Sequence, residues 1–77
     1  MRIQVRLLFN LKEHAPGGQG QFPLEVAPGT TLGQVLARLG IPPEPAKVLL
    51  LNGMQASLDQ APQEGDGLVV FPPVEGG

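Results

Sequence analysis

The chain has 77 residues, with five basic and seven acidic side chains for a net charge of -2, and no cysteine. A domain this short buries only about 60–65% of its unfolded surface, too little for both a core and an enclosed active site of ordinary size. The basic residues are scattered, and with no Trp, no Tyr and three Phe the chain offers neither a phosphate-binding stripe nor a stacking platform, so nucleic-acid binding is not expected. Lack of cysteine removes disulfides, zinc-thiolate sites and a thiol nucleophile together. No apolar run approaches the length of a membrane span and the N-terminus has no signal-peptide pattern, so a cytoplasmic protein without membrane association is expected. A hydrophobic fraction of 42% is that of a globular domain, and 11 Gly with 9 Pro predict short elements joined by many turns.

Residues 2–9 alternate, with Ile3, Val5 and Leu7 on one face and Arg2, Gln4 and Arg6 on the other; this predicts a half-buried strand. Leu8 puts an apolar side chain on the polar face. Asn10, Pro16, Gly17, Gly18 and Gly20 mark a loop, with a short helical turn at Leu11–His14. Phe22, Leu24 and Val26 alternate again, and Pro23 demotes this second strand to an edge or a bulge. Thr31 with Gln34 is a capping box. Leu32, Val35, Leu36 and Leu39 then recur at helical spacing and Gly40 stops the helix, so a helix is predicted over 31–39. Ile41-Pro42-Pro43-Glu44-Pro45 is a rigid connector. The apolar run Lys47–Leu51 predicts a buried strand, Asn52-Gly53 a hairpin turn, and Met54–Leu58 the return strand. After a polar, turn-rich stretch over Asp59–Gly67, Leu68–Phe71 is the last strand. In it Leu68 and Val70 point inward, and Val69 and Phe71 outward.

The predicted order is β-β-α-β-β-β, an α+β roll with one helix packed on a sheet. The first and last strands are natural neighbours in its middle. Leu8 and Phe71 then share the outward face where the chain leaves the sheet. Beyond Phe71 the sequence ends in Pro72-Pro73-Val74-Glu75-Gly76-Gly77. Two prolines end the ladder, so residues 1–71 are expected to form the domain and residues 72–77 an extended tail reaching about 20 Å. A tail ending in two glycines is thin enough to enter a narrow partner site.

Catalytic side chains are nearly missing from the chain. His14 is the single histidine and Ser57 the single serine; a triad of Ser57, His14 and Asp59 has no flanking motif. The acidic residues are dispersed without metal-ligand spacing, and no phosphate-binding loop is present, so neither a metal nor a bound cofactor is expected. The remaining group is the α-carboxylate of Gly77. It becomes an electrophile if a partner transfers AMP onto it from ATP, and an acyl carbon without a neighbouring Cβ is open to a sulfur or amine nucleophile.

The opening Ile3-Gln4-Val5-Arg6-Leu7-Leu8-Phe9 with Leu11-Lys12-Glu13, then Thr31-Leu32-Gly33-Gln34, Asn52-Gly53, the Gly65-Asp66 turn and the ending Val70-Phe71-Pro72-Pro73-Val74-Glu75-Gly76-Gly77 resemble the ubiquitin-like sulfur carriers of the ThiS/MoaD type. The resemblance covers the whole chain and is nearest to the MoaD group, the small subunit of molybdopterin synthase. It implies a β-grasp fold and a carrier activated in trans. An adenylyltransferase similar to ubiquitin-activating enzymes would adenylate Gly77, consuming ATP, and sulfur transfer would make a thiocarboxylate. The large synthase subunit, in a heterotetramer, would accept the tail and pass sulfur to a pterin precursor of the molybdenum cofactor. Gly77 matches the reacting residue and Gly76 its required neighbour. Phe71 and Leu8, with Pro72, Pro73, Val74 and Met54, match the partner-binding segment. Thiamine or cysteine biosynthesis as the sulfur's destination, a protein modifier joined through Gly77, and an inert interaction module remain open alternatives.

Overall fold

Period-two alternation at the N-terminus becomes β1 (Arg2–Leu7), with Ile3, Val5 and Leu7 buried and Arg2, Gln4 and Arg6 exposed. The computed structural model describes residues 1–41 and 48–72; the proline-rich connector after Ile41 and the tail from Pro73 to Gly77 lie outside the described residues. β2 (Gln21–Glu25) pairs antiparallel with β1, placing Phe22 opposite Val5 and Leu24 opposite Ile3, so the apolar rows share one face. Met1 and Val26 exchange hydrogen bonds, and Leu7 donates to Gly20. By alternation Pro23 and Gln4 form a non-hydrogen-bonded pair. The proline nitrogen therefore faces the free edge, where no ladder bond is lost.

β1 runs to Leu7 rather than Phe9. Phe9 has a left-handed φ of 56° and opens a 3-10 turn over Phe9–His14, followed by a second over Pro16–Gly18. Leu11 and Ala15 from this segment are buried in the core. They fill the interior beyond Leu7 that a continued strand would have given to Phe9.

The capping box forms as its residues dictate. Thr31 Oγ1 accepts from the Gln34 amide, and the Thr31 amide donates to Gln34 Oε1. The helix, α1, spans Leu32–Arg38. At its far end the Ile41 amide donates to Leu36 O and the Gly40 amide to Ala37 O, with Gly40 at φ 79°. This is the two-bond stop that glycine favours, and it buries Ile41 beside Leu36 in the core. The two N-terminal helix amides, Leu32 and Gly33, donate to Gln60 O and Leu58 O, which ties the helix start to the loop after the last hairpin.

β3 (Val48–Leu51) and β4 (Met54–Ala56) form a hairpin across Asn52 and Gly53, at φ 54° and 85°. Both positive values suit the two-residue turn whose twist matches the strands. β4 ends at Ala56 rather than Leu58, because Leu58 belongs to the turn whose carbonyls meet the helix. β5 (Gly67–Phe71) lies parallel to β1 and antiparallel to β3. Strand order is β2-β1-β5-β3-β4, a mixed five-stranded sheet with the first and last strands adjacent at its centre. α1 buries Leu32, Val35 and Leu36 together with Ile3, Val5, Leu7, Leu68 and Val70 in one cluster. Among the described residues no helix is long and apolar enough to cross a membrane.

Candidate functional site

The site is built where β5 leaves the sheet. Cross-strand partners share a face, so the register sorts the side chains into two layers. The row facing the helix holds Leu7, Val70 and Leu49, and beside it Val5, Leu68 and Leu51. The row facing away holds Arg6, Val69 and Leu50, and beyond it Phe71 with Val48. The Leu8 amide donates to Val70 O at 3.2 Å, which continues the parallel ladder one step past Leu7 and sets Leu8 beside Phe71. Leu8, Phe71 and Pro72 are all half-buried. Leu8 and Phe71 thus meet at the root of the tail, on the face that the helix does not cover.

Two parts of this surface are not legible in the sequence as members of it. Phe9 comes directly after Leu8 with 71% of its surface exposed. Strict alternation sends it inward, and nothing in the local pattern signals the left-handed backbone that turns it out. The other part is Val48 with Leu50, which composition places in a strand buried on both faces. Of the run, Leu49 alone is buried; Leu50 and Leu51 are half-buried and Val48 exposed. A run apolar on both faces is one that a second body could cover, and the described residues cover one face of it.

Met54 stands apart from that surface. It pairs with Leu51 in the row facing the helix, at the edge strand, where it is 75% exposed. The register therefore does not bring it to Phe71 and Leu8. Pro73, Val74, Gly76 and Gly77 lie outside the described residues.

Ser57 and His14 sit at opposite ends of α1. Ser57 Oγ donates to Asp59 Oδ1 at 2.6 Å within the turn that meets the helix start, whereas His14 Nδ1 lies beside Gly40 at the helix end. The serine and aspartate cap a turn, and the histidine is not within reach to form a triad.

A separate polar knot holds the start of β5. Asn52 donates from Nδ2 to Asp66 Oδ1 at 2.9 Å and accepts at Oδ1 from the Gly67 amide at 2.9 Å. The Gln63 amide donates to Asp66 Oδ2 at 2.8 Å. The Asn52 amide group first, and then the Gln63 N–H, hold the Asp66 carboxyl below its ordinary value of 3.8. The knot fixes where β5 begins, and so the register that carries Phe71 to Leu8.

Comparison with known proteins matches residues 5–77 to the model of the ThiS family. Among solved structures, the chain is similar to small archaeal modifier protein 1 (SAMP1) from Haloferax volcanii, at 30% identity and a TM-score of 0.78 over 100% of both chains. The HVO 2177 protein of Haloferax volcanii matches at 28% identity and a TM-score of 0.84, covering 100% of this chain and 87% of that one. One chain of the protein–protein complex of subunit 1 and 2 of the molybdopterin-converting factor from Helicobacter pylori is a further likeness, at 22% identity and a TM-score of 0.60, covering 100% of this chain and 100% of that one. The comparison with curated proteins gives no match. The five-stranded mixed sheet with one helix is the β-grasp fold of these ubiquitin-like neighbours. With its family model matched from β1 to the last residue of the tail, the chain belongs to the ThiS family, among the ubiquitin-like proteins that carry sulfur or modify other proteins.

Proposed function

We propose that this chain is a sulfur carrier that acts as the small subunit of molybdopterin synthase, with Gly77 as its working terminus. The observation that carries the reading is the family match extending through Gly76 and Gly77. The outward pairing of Leu8 with Phe71 at the root of the same tail supports it. In this cycle an activating partner brings ATP, and the Gly77 carboxylate attacks the α-phosphorus and releases pyrophosphate. A sulfur nucleophile then displaces AMP to leave a thiocarboxylate. The tail enters the large subunit, which supplies the catalytic groups and passes sulfur to a pterin precursor. The chain contributes the handle and the docking face, and positioning rather than side-chain chemistry is its part in the rate. The two-subunit complex of the Helicobacter pylori neighbour supports such an assembly.

The first measurement is the intact mass of the protein after incubation with ATP, a sulfur source and the host's activating enzyme. Replacement of one terminal oxygen by sulfur, lost on removing Gly77, is the expected result; an unchanged mass overturns the carrier reading. Supplying the thiocarboxylate to the host's large subunit with pterin precursor then tests the destination, and absence of a dithiolene product sinks it. Gly76→Val is expected to leave folding intact and to block adenylation, because its Cβ thickens the thread. A normal adenylation rate rejects that expectation.

A second reading is favoured by one observation, the 30% identity to a protein named as a modifier. In it the adenylated Gly77 meets a lysine amine instead of sulfur, and the product is an isopeptide-linked conjugate. Gly77-dependent conjugates of higher mass in host extract would favour it.

A further inference from the structure

The outward face carries a feature that the sulfur chemistry leaves unused. An open trough of about 260 Å³ lies between β1, β2, β5 and the β3–β4 turn, lined by Gln4, Arg6, Gln21, Asn52, Gly67 and Val69. Its floor is Gly67, opposite Gln4 in the middle of the sheet. Neither backbone nor crowding demands glycine there: its φ is not left-handed, and a Cβ would meet nothing nearer than Asn52 Oδ1 at 3.8 Å. The missing side chain simply keeps the hollow open.

The polar lining is one cation and three amides, with no carboxylate among its residues. Arg2 pairs with Glu25 at 3.0 Å and Arg38 donates to the Glu25 carbonyl. Among the described residues Arg6 has neither an ion pair nor a side-chain hydrogen bond. Asn52 uses one Nδ2 hydrogen on Asp66, and the second has no partner among the described residues. β1 is paired on both sides at Arg6, to Gln21 and to Val69, so the cation stands on rigid backbone. It borders the apolar row of Val69, Leu50, Phe71 and Leu8.

A single exposed cation holds a free small anion weakly, because water and salt screen the pair. The same pair strengthens when an apolar surface closes over it and excludes water. We propose that this trough receives an aspartate or glutamate side chain of the docking protein, paired with Arg6, and that the pair selects the partner. The occupant is the large synthase subunit, so the proposal rests on the function proposed above. The partner surface is then apolar opposite Leu8, Leu50 and Phe71, with one carboxylate opposite Arg6. The chain as a whole is slightly acidic, with net charge -2, so Arg6 is a local cation on this face and not part of a general basic surface.

The test is calorimetric titration of the full chain and its variants against the host's large subunit, at low and high salt. Arg6→Glu is expected to weaken binding at least about 10-fold and Arg6→Gln by less, with a flatter salt dependence in both. Their thermal midpoints should stay unchanged, since Arg6 is exposed. Gly67→Val, which fills the hollow, should weaken binding while Arg6 stays in place. A partner Asp or Glu whose change to Lys restores binding of Arg6→Glu identifies the occupant. Arg6→Glu binding within about two-fold of the unaltered chain overturns the proposal and leaves the carrier function standing. If the unaltered chain ignores the large subunit but binds the activating enzyme in an Arg6-dependent way, the molybdopterin reading falls and the trough stands with a different partner. Binding to neither protein overturns both.

Discussion

The two faces of this sheet both carry apolar side chains, and only one face is sealed. On the helix side Ile3, Val5, Leu7, Leu68 and Val70 are sealed to 1% exposure or less. On the other side Leu8, Leu50, Val69 and Phe71 lie half-buried with nothing of the described chain laid over them. Alternating strands usually divide into apolar inside and polar outside, and β1 does so as far as Arg6. Strands β3 and β5 do not. The difference teaches that an apolar side chain in a small domain need not belong to its own core, and the register says which ones do.

The contrast can be broken first from the inside. Leu68→Ala removes packing that nothing else can fill, and about 3 kcal/mol of unfolding free energy should go with it, read by denaturant titration. A loss below about 1 kcal/mol would mean the helix collapses onto the gap. The matching change outside is Phe71→Asp. It should cost about 1 kcal/mol of stability while weakening capture by the proposed large subunit far more. Equal damage to folding would place Phe71 in the core and erase the distinction.

Phe9 sharpens the comparison further, because its backbone sits at φ 56° with most of the ring exposed. A bulky residue is strained in that region. Phe9→Gly should therefore raise stability by about 0.5–1 kcal/mol, the strain relief exceeding the extra freedom of an unfolded glycine. The same variant should bind the partner less well, and a loss of stability would show that the ring packs after all. The smallest effect belongs to Asp66. Its carboxyl is held down by Asn52 and Gln63 in the folded chain, so its contribution is complete above the unfolded value near 3.8. That contribution is lost as pH falls through the depressed folded value. Acid titration of the thermal midpoint should show this step, and Asp66→Asn should flatten it.

Most of the architecture is legible in the sequence because local signals agree with one another. Thr31 and Gln34 are a capping box in sequence and in space. Asn52-Gly53 takes the turn its composition favours, and Pro23 lands on an edge strand with its nitrogen outward. The differences at Phe9 and in β3 have one cause, which is that period and composition report apolarity and not what covers it. Alternation continues through Phe9 and so assigns it to the strand, whereas Leu11 and Ala15 already occupy the interior. The run Val48–Leu51 reads as a buried strand because all four residues are apolar. The family resemblance groups Met54 with Phe71 in the partner-binding segment, and the pairing with Leu51 sets it in the row facing the helix. Leu8 is the exception, since the order of elements already implies the last strand as its neighbour. The trough under Arg6 is invisible in the sequence, because a glycine in a strand looks like weakness until its cross-strand partners are known.

The place of β5 has a consequence for how the molecule comes into being. Without it the sheet is two unconnected hairpins, β1 with β2 and β3 with β4. Isolated hairpins are barely stable in water. The strand that joins them pairs with β1 across about sixty residues of sequence, as Gln4 does with Gly67, so the closing contact is a long-range one. Such long-range pairing makes folding slow for a domain of this size. It also makes the process all-or-none at the biologically useful moment: the face around Leu8 and Phe71 does not exist until residue 71 has been made, a few residues before the glycines. A chain that stops before residue 71 therefore lacks the surface that the proposed partner would meet.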